Sequence, residues 1–247
     1  MNSLNLSLLK NLFLTQSKLT MNPKIICLLF VTLLNSFVFG QEKAKTDTVS
    51  IDNNGKKHLF VGVDLFAPAA SFFGDKKGMN AYLSLRIKGR WTGVAELGYE
   101  KNIYDDIGWN VEGKGPYVGV GVNYMITNMD TDNGEGFYVG GRLMYSPFKQ
   151  TVKSYPITGI DPNGKLQVIG YDSLPSANVG SGWVEAIGGA KVQLGKTPIY
   201  LDFMARPKVR IFAQKQDGID NLVIPGYGRD KGSFQISLFW GVSYRIF

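Results

Sequence analysis

The sequence predicts an all-β protein: an eight-stranded antiparallel up-and-down transmembrane β-barrel preceded by a cleaved signal peptide. Three observations lead there. The final stretch, Ser233 to Phe247, alternates strictly: Phe234, Ile236, Leu238, Trp240, Val242, Tyr244 and Ile246 are apolar, and the positions between them are mostly small or polar. That period of two makes a long strand with one greasy face. Seven earlier segments carry the same alternation. An apolar export segment precedes them all.

The export segment starts at Met21. Met21-Asn22-Pro23-Lys24 is a short basic region, Ile25 to Phe39 is apolar, and Val38-Phe39-Gly40 ends on a small residue before Gln41. This divides the chain into residues 1–20, an extension or mis-assigned start; 21–40, the signal; 41–56, a polar, aperiodic periplasmic leader; and 57–247, the barrel domain. Cleavage would remove Cys27, the only cysteine, so neither a disulfide nor thiol chemistry is expected. It would also remove Lys10, Lys18 and Lys24 but no acidic residue. The remaining positive charge is too modest to argue for nucleic acid. After the signal no apolar run is long enough for a spanning helix, so a membrane crossing must use a closed barrel.

The apolar faces run as follows. Strand one carries Leu59, Val61, Val63 and Leu65; strand two carries Ala81, Leu83, Leu85 and Ile87; strand three carries Trp91, Gly93, Ala95, Leu97 and Tyr99. Strand four carries Val118, Val120, Val122 and Tyr124, and strand five carries Phe137, Val139, Gly141, Leu143 and Tyr145. Strand six carries Val184, Ala186, Gly188, Ala190 and Val192, strand seven Ile199, Leu201, Phe203 and Ala205, and the eighth is the closing strand.

The opposite faces hold Asp64, Arg86, Lys88, Glu96, Arg142, Glu185, Lys191, Asp202, Arg206 and Arg245, with Gly62, Gly98, Gly119, Gly121, Gly140 and Gly189 among them. Charges of both signs, relieved by glycines, suit a narrow interior. Eight strands leave just enough room for side chains to fill it, so an ion network is expected to plug the lumen. Tyr82, Tyr117, Asn123, Tyr138 and Tyr200 are expected to complete that plug.

Alternation alone does not say which face is inside, and a soluble lipocalin-like barrel would reverse it. Three features favour the membrane. Trp91 with Tyr99, and Phe137 with Tyr145, place aromatics eight residues apart, which is about 20 Å along a tilted strand. The polar faces are rich in Gly, Ser and Tyr rather than Lys and Glu. The connections also alternate in length. Lys88-Gly89-Arg90 and Gly195 to Pro198 are tight, Ile126 to Gly136 is moderate, and the stretches near Ala67 to Gly78, Lys101 to Gly115, Pro147 to Ser181 and Gln214 to Gly232 are long. Short periplasmic turns with long external loops mark such barrels.

On these grounds the chain resembles the small outer-membrane β-barrel proteins of Bacteroidota, many of them in families of unknown function. The shared parts are the signal ending at Gly40-Gln41, the eight alternating strands and the terminal Gly241-Val242-Ser243-Tyr244-Arg245-Ile246-Phe247. The resemblance implies outer-membrane lipid, lipopolysaccharide and the barrel-assembly machinery as partners. One departure stands out. In the familiar assembly signature the terminal Phe shares the apolar face, whereas alternation puts Phe247 with Arg245. Ile246 in that role, a bulged end or a different recognition rule would reconcile them.

Candidate chemistry is sparse. His58, the only histidine, lies at the start of strand one, at the wrong end for an external general base, and no nucleophile elbow is present. Asn128, Asp130, Asp132, Asn133 and Glu135 fail the calcium-loop pattern and read as a turn at Asp132-Asn133-Gly134. No enzyme activity, cofactor or metal is expected. The segment Pro147 to Ser181 is the best functional candidate. Thr151 to Thr158 and Lys165 to Leu174 read as extended around the turn Asp161-Pro162-Asn163-Gly164, giving a projecting hairpin. Tyr155, Ile157, Val168, Ile169 and Tyr171, with Trp109 and Tyr227 from other loops, are the candidate docking surface for a protein partner; the competing reading is a loop that packs on its neighbours and caps the barrel. The expected state is a monomer. A lipocalin-like ligand binder and a lipid-modifying enzyme are the alternatives.

Overall fold

In the computed structural model the residues described are 57–65, 76–106, 108–127, 134–160, 163–229 and 232–247. The stretches expected to be a signal, its cleavage point and a leader lie outside them, as does most of the Asn128–Glu135 cluster. The strands are β1 (Leu59–Asp64), β2 (Lys76–Lys88), β3 (Trp91–Asp106), β4 (Trp109–Met125), β5 (Gly136–Ile160), β6 (Leu166–Gln193), β7 (Ile199–Ala213), β8 (Val223–Ile224), β9 (Gly228–Arg229) and β10 (Phe234–Arg245). Eight of them form one antiparallel sheet in the order β1-β10-β7-β6-β5-β4-β3-β2, and β1 pairs with β10 to close the ring. Phe60 lies opposite Arg245 and Val63 opposite Val242. Two further bonds, Leu65 N–H to Trp240 O at 2.8 Å and Ile246 N–H to Leu59 O at 2.8 Å, seal that seam.

The alternation read from sequence is the alternation observed. Burial in β3 swings between exposed odd and buried even positions from Val94 to Glu100, and in β5 from Arg142 to Gln150. Two turns at one end are tight. Gly89 has φ 54°, which a glycine adopts without strain, and Gly195 has φ 61°. Register shifts between Arg86 and Lys88, a bulge that re-aims the strand end.

At the opposite end the strands outgrow the expected loops. The stretch Lys101 to Gly115 is not a loop, because β3 and β4 stay paired from Lys101↔Lys114 to Asp106↔Trp109. The β5–β6 hairpin also runs on as predicted, with pairing to Ile160↔Leu166 beside the turn at Gly164 (φ 76°).

Inside the ring, large side chains lie over glycines on the next strand. Gly62 faces Tyr82, Gly98 faces Tyr117, Gly119 faces Met144 and Gly189 faces Tyr138. In each pair a Cβ on the glycine would overlap the partner side chain. Flat rings and a thioether thus occupy the space that side chains on both strands could not share. Replacing Gly98 with leucine is expected to force Tyr117 out of its buried site at a cost of about 1–3 kcal/mol. A denaturant midpoint unchanged by G98L would refute that packing role.

Candidate functional site

The interior is built in layers. At the end with the tight turns, Phe60 and Tyr200 meet edge to face at 5.0 Å. The Lys191 ammonium lies 3.8 Å from the Phe60 ring centre and 3.5 Å from Asp202. Asp202 also accepts the Ser243 hydroxyl at 2.7 Å and the Tyr82 hydroxyl. Next comes an apolar layer of Tyr82, Tyr138, Ile187, Met204 and Phe239.

The central layer is ionic. Glu96 pairs with Arg142 and, at 2.9 Å, with Arg206. Arg206 also pairs with Glu185 at 2.7 Å, and Lys208 approaches Glu185 at 3.6 Å. The remaining acceptor capacity is used: Asn80 donates to Glu96 at 2.6 Å and the Trp183 indole N–H to Glu185 at 2.7 Å. These charged side chains are almost wholly buried, and buried charges persist only when paired and hydrogen-bonded in this way.

The far mouth is closed by the segment between β7 and β10. Val223 and Ile224 are fully buried. Ile224 packs with Tyr117, Met144, Phe148, Val179, Trp183 and Tyr227, and Val223 packs with Val111 and Val152. Polar tethers hold the segment down. Lys208 donates to Gly226 O at 2.6 Å, and Gly226 N–H donates to Glu100 at 2.8 Å. Gly226 lies against the Tyr117 ring at φ 78°, a close approach that suits only glycine.

A family model described as Domain of unknown function (DUF6048) matches residues 21–247. The chain belongs to that family. A comparison with curated proteins found no match.

In this DUF6048 member six of the ten residues of the expected network are buried inside the ring, Glu96, Arg142, Glu185 and Arg206 in the central layer and Lys191 with Asp202 as a separate pair toward the tight turns. Of the other four, Lys88 and Arg86 leave it at the end of β2, while Arg245 and Asp64 lie on the inward face at its two margins. Lys88 is exposed, because the Arg86/Lys88 register shift carries it out of the alternation. Arg86 turns to its own hairpin and donates to Gly89 O at 2.7 Å. Arg245 is half-buried with its guanidinium 5.6 Å from the Tyr200 ring centre, and Asp64 is half-buried near the other end of β1. The tyrosines Tyr82, Tyr117, Tyr138 and Tyr200 are buried as expected, and Asn123 is half-buried. Glu100, Lys208 and Trp183 also belong to the interior. Each lies just past the strand stretch read from sequence, and carrying the alternation one to three residues further places all three inward.

The external candidates of the DUF6048 chain divide into three groups. Ile157, Val168, Ile169 and Tyr171 are exposed on the projecting hairpin. Trp109 and Tyr155 are half-buried, with rings 6.0 Å apart, and Tyr155 donates to Asp172 at 3.3 Å. Tyr227 is not on that surface. It is 3 % exposed, packs on Trp183 at 5.6 Å and donates to Gly232 O, because its segment folds into the mouth. The apolar run Val223-Ile224-Pro225 just before it was the available signal.

His58 is buried beside the seam, its Nδ1 3.3 Å from Phe247 O, which fits a strand-end role. Ile246 keeps the outward place of the alternation at 53 % exposed, whereas Phe247, which alternation places with Arg245, lies past the end of β10 and is 57 % exposed. Glu135 accepts Gln193 N–H at 3.1 Å, a hairpin contact. Among the described residues no cluster of metal-ligating side chains is found.

Proposed function

We propose that the chain is a non-enzymatic transmembrane β-barrel of the outer membrane of a Gram-negative bacterium, in the Bacteroidota lineage its sequence resembles. Its interior is a side-chain plug, and its work is done at the outer surface, by anchoring the envelope or docking a protein on the β5–β6 hairpin. One observation carries the reading: the sheet is apolar outside and ionic inside. Val61, Leu83, Leu97, Val120, Leu143, Val184, Phe203 and Leu238, one from each strand of the ring, are between 40 and 62 % exposed. Water would penalise such a continuous outer face, whereas a hydrocarbon layer favours it. Aromatic pairs support the same reading near both borders: Trp91 with Tyr124 at 4.9 Å, and Tyr145 with Phe212 at 6.2 Å.

A lipocalin-like ligand binder is disfavoured by the same faces, since an apolar guest would meet Glu96, Arg142 and Arg206. A lipid-modifying enzyme using His58 is disfavoured by that residue's burial against the chain end. The test is gel mobility with and without boiling, on outer membranes washed with sodium carbonate. The expected result is a carbonate-resistant band whose mobility shifts on boiling. Release into the wash would reject the membrane reading.

A further inference from the structure

Four lysines line up across four neighbouring strands. Lys77 on β2 lies directly opposite Lys101 on β3, Lys101 opposite Lys114 on β4, and Lys114 opposite Lys149 on β5. All four occupy outward positions of the alternation: Lys77, Lys114 and Lys149 are exposed, and the Lys101 side chain is 42 % exposed. Like charges placed directly opposite one another destabilise a sheet, so three such oppositions in one row need a compensating anion. Within the chain that anion is Glu112, one step further out. It meets Lys101 at 3.2 Å, Lys114 at 3.9 Å and Lys153 at 2.9 Å. The hydrogen bond from Lys153, with help from Lys101, holds the Glu112 carboxyl below the usual carboxylate range, beyond the apolar band. Three lysines on one carboxylate, with Lys77 and Lys149 flanking them in the row, leave a local excess of positive charge.

The height of the row is what gives it meaning. Two residues inward on the same faces stand Met79, Tyr99, Pro116 and Pro147, where the apolar outer surface ends. Met79 is 70 % and Tyr99 49 % exposed. The row therefore sits one step above the border of the apolar band, at the mouth end, and spans about 14 Å across strands. A lysine there lays its stem on the apolar border and raises its ammonium into the headgroup layer.

We infer that Lys77, Lys101, Lys114 and Lys149 form a binding row for the phosphate groups of outer-leaflet glycolipid, with Glu112 positioning Lys101 and Lys114. The inference rests on the membrane reading above. Lysine suits the task as a compact point charge that meets phosphate from any direction.

The test uses the full chain in zwitterionic detergent micelles, titrated with lipid A, with dephosphorylated lipid A and with inorganic phosphate. Wild type is compared with K101Q/K114Q/K149Q, which keeps side-chain length and removes only charge. Lipid A is expected to bind wild type roughly a hundredfold more tightly than the triple variant, since each lysine near an anionic surface contributes about fivefold. Dephosphorylated lipid A and free phosphate are expected to bind both proteins weakly and alike. Equal binding of lipid A to the two proteins overturns the row, as does equal binding of the dephosphorylated form to wild type. Free phosphate matching lipid A overturns the lipid as its source. The gel-mobility shift of both proteins in the same micelles is read alongside. A wild type that keeps the shift but ignores phosphorylation refutes the row alone, and one that shows no shift refutes the membrane reading too.

Discussion

Replacing Glu96 with glutamine is expected to destabilise the protein by about 3–5 kcal/mol, the usual cost of removing one partner from a buried ion pair. Glu96 accepts from Arg142 and Arg206 and from Asn80. Arg206 keeps Glu185. Arg142 is left with the Met204 sulfur at 3.5 Å as its remaining side-chain contact among the described residues. Its charge would then stay buried without the carboxylate that now pairs with it. The measurement is a urea unfolding midpoint in detergent. The double variant E96M/R142M, which removes both charges, is expected to recover much of the loss, because what E96Q leaves behind is an unpaired cation. A midpoint for E96Q equal to that of wild type would show that the ionic layer contributes nothing to stability.

The second large effect is expected at the mouth. Ile224→Asp puts a carboxylate among Tyr117, Met144, Trp183 and Tyr227, where the nearby Lys208 ammonium is already engaged with Gly226 O and Glu185. The segment should be expelled rather than tolerate the charge. The loss is then bounded by what its docking supplied, about 3–6 kcal/mol from burying Val223 and Ile224. The ring ladders do not pass through this segment, so the gel-mobility shift should survive. Protease cleavage near Asn221 to Arg229 should rise sharply, and the near-ultraviolet signal of Trp183 against Tyr227 should fall. An I224D protein with unchanged cleavage would refute the docked segment.

Much of the ring was legible because period two is a local property. Each strand announces its two faces without reference to its neighbours, so Leu97 and Glu96 could be assigned to opposite sides from sequence alone. What was not legible depends on contacts between distant segments. The stretch Lys101 to Gly115 contains three glycines and reads as a loop, yet β3 and β4 pair through it, supported by the neighbouring strand β5 and by Val223 against Val111. Tyr227 has the composition of an exposed loop aromatic, and only the fold of its segment buries it. The lysine row is an intermediate case. Alternation sends each lysine outward, but only the register sets Lys77, Lys101, Lys114 and Lys149 side by side. Lys88 failed for the opposite reason, since one shift of register at a hairpin undoes a pattern that is otherwise reliable.

The seam between β1 and β10 has a consequence for how the protein is made. The strand nearest the start of the domain finds its partner only in the strand nearest its end, where Phe60 meets Arg245. Every other pairing in the ring is between strands adjacent in sequence order, if the small β8–β9 pair is set aside. Hairpins can therefore form as the chain emerges, but the ring cannot close until β10 has been synthesised. A nascent chain missing that strand carries two bare edges, on β1 and on β7, each able to pair with another copy. Synthesis thus leaves a long interval in which the chain is prone to aggregation, and folding is delayed to the slow step that joins the two ends. Holding the chain open through that interval, and bringing its ends together afterwards, is work that must come from outside the sequence.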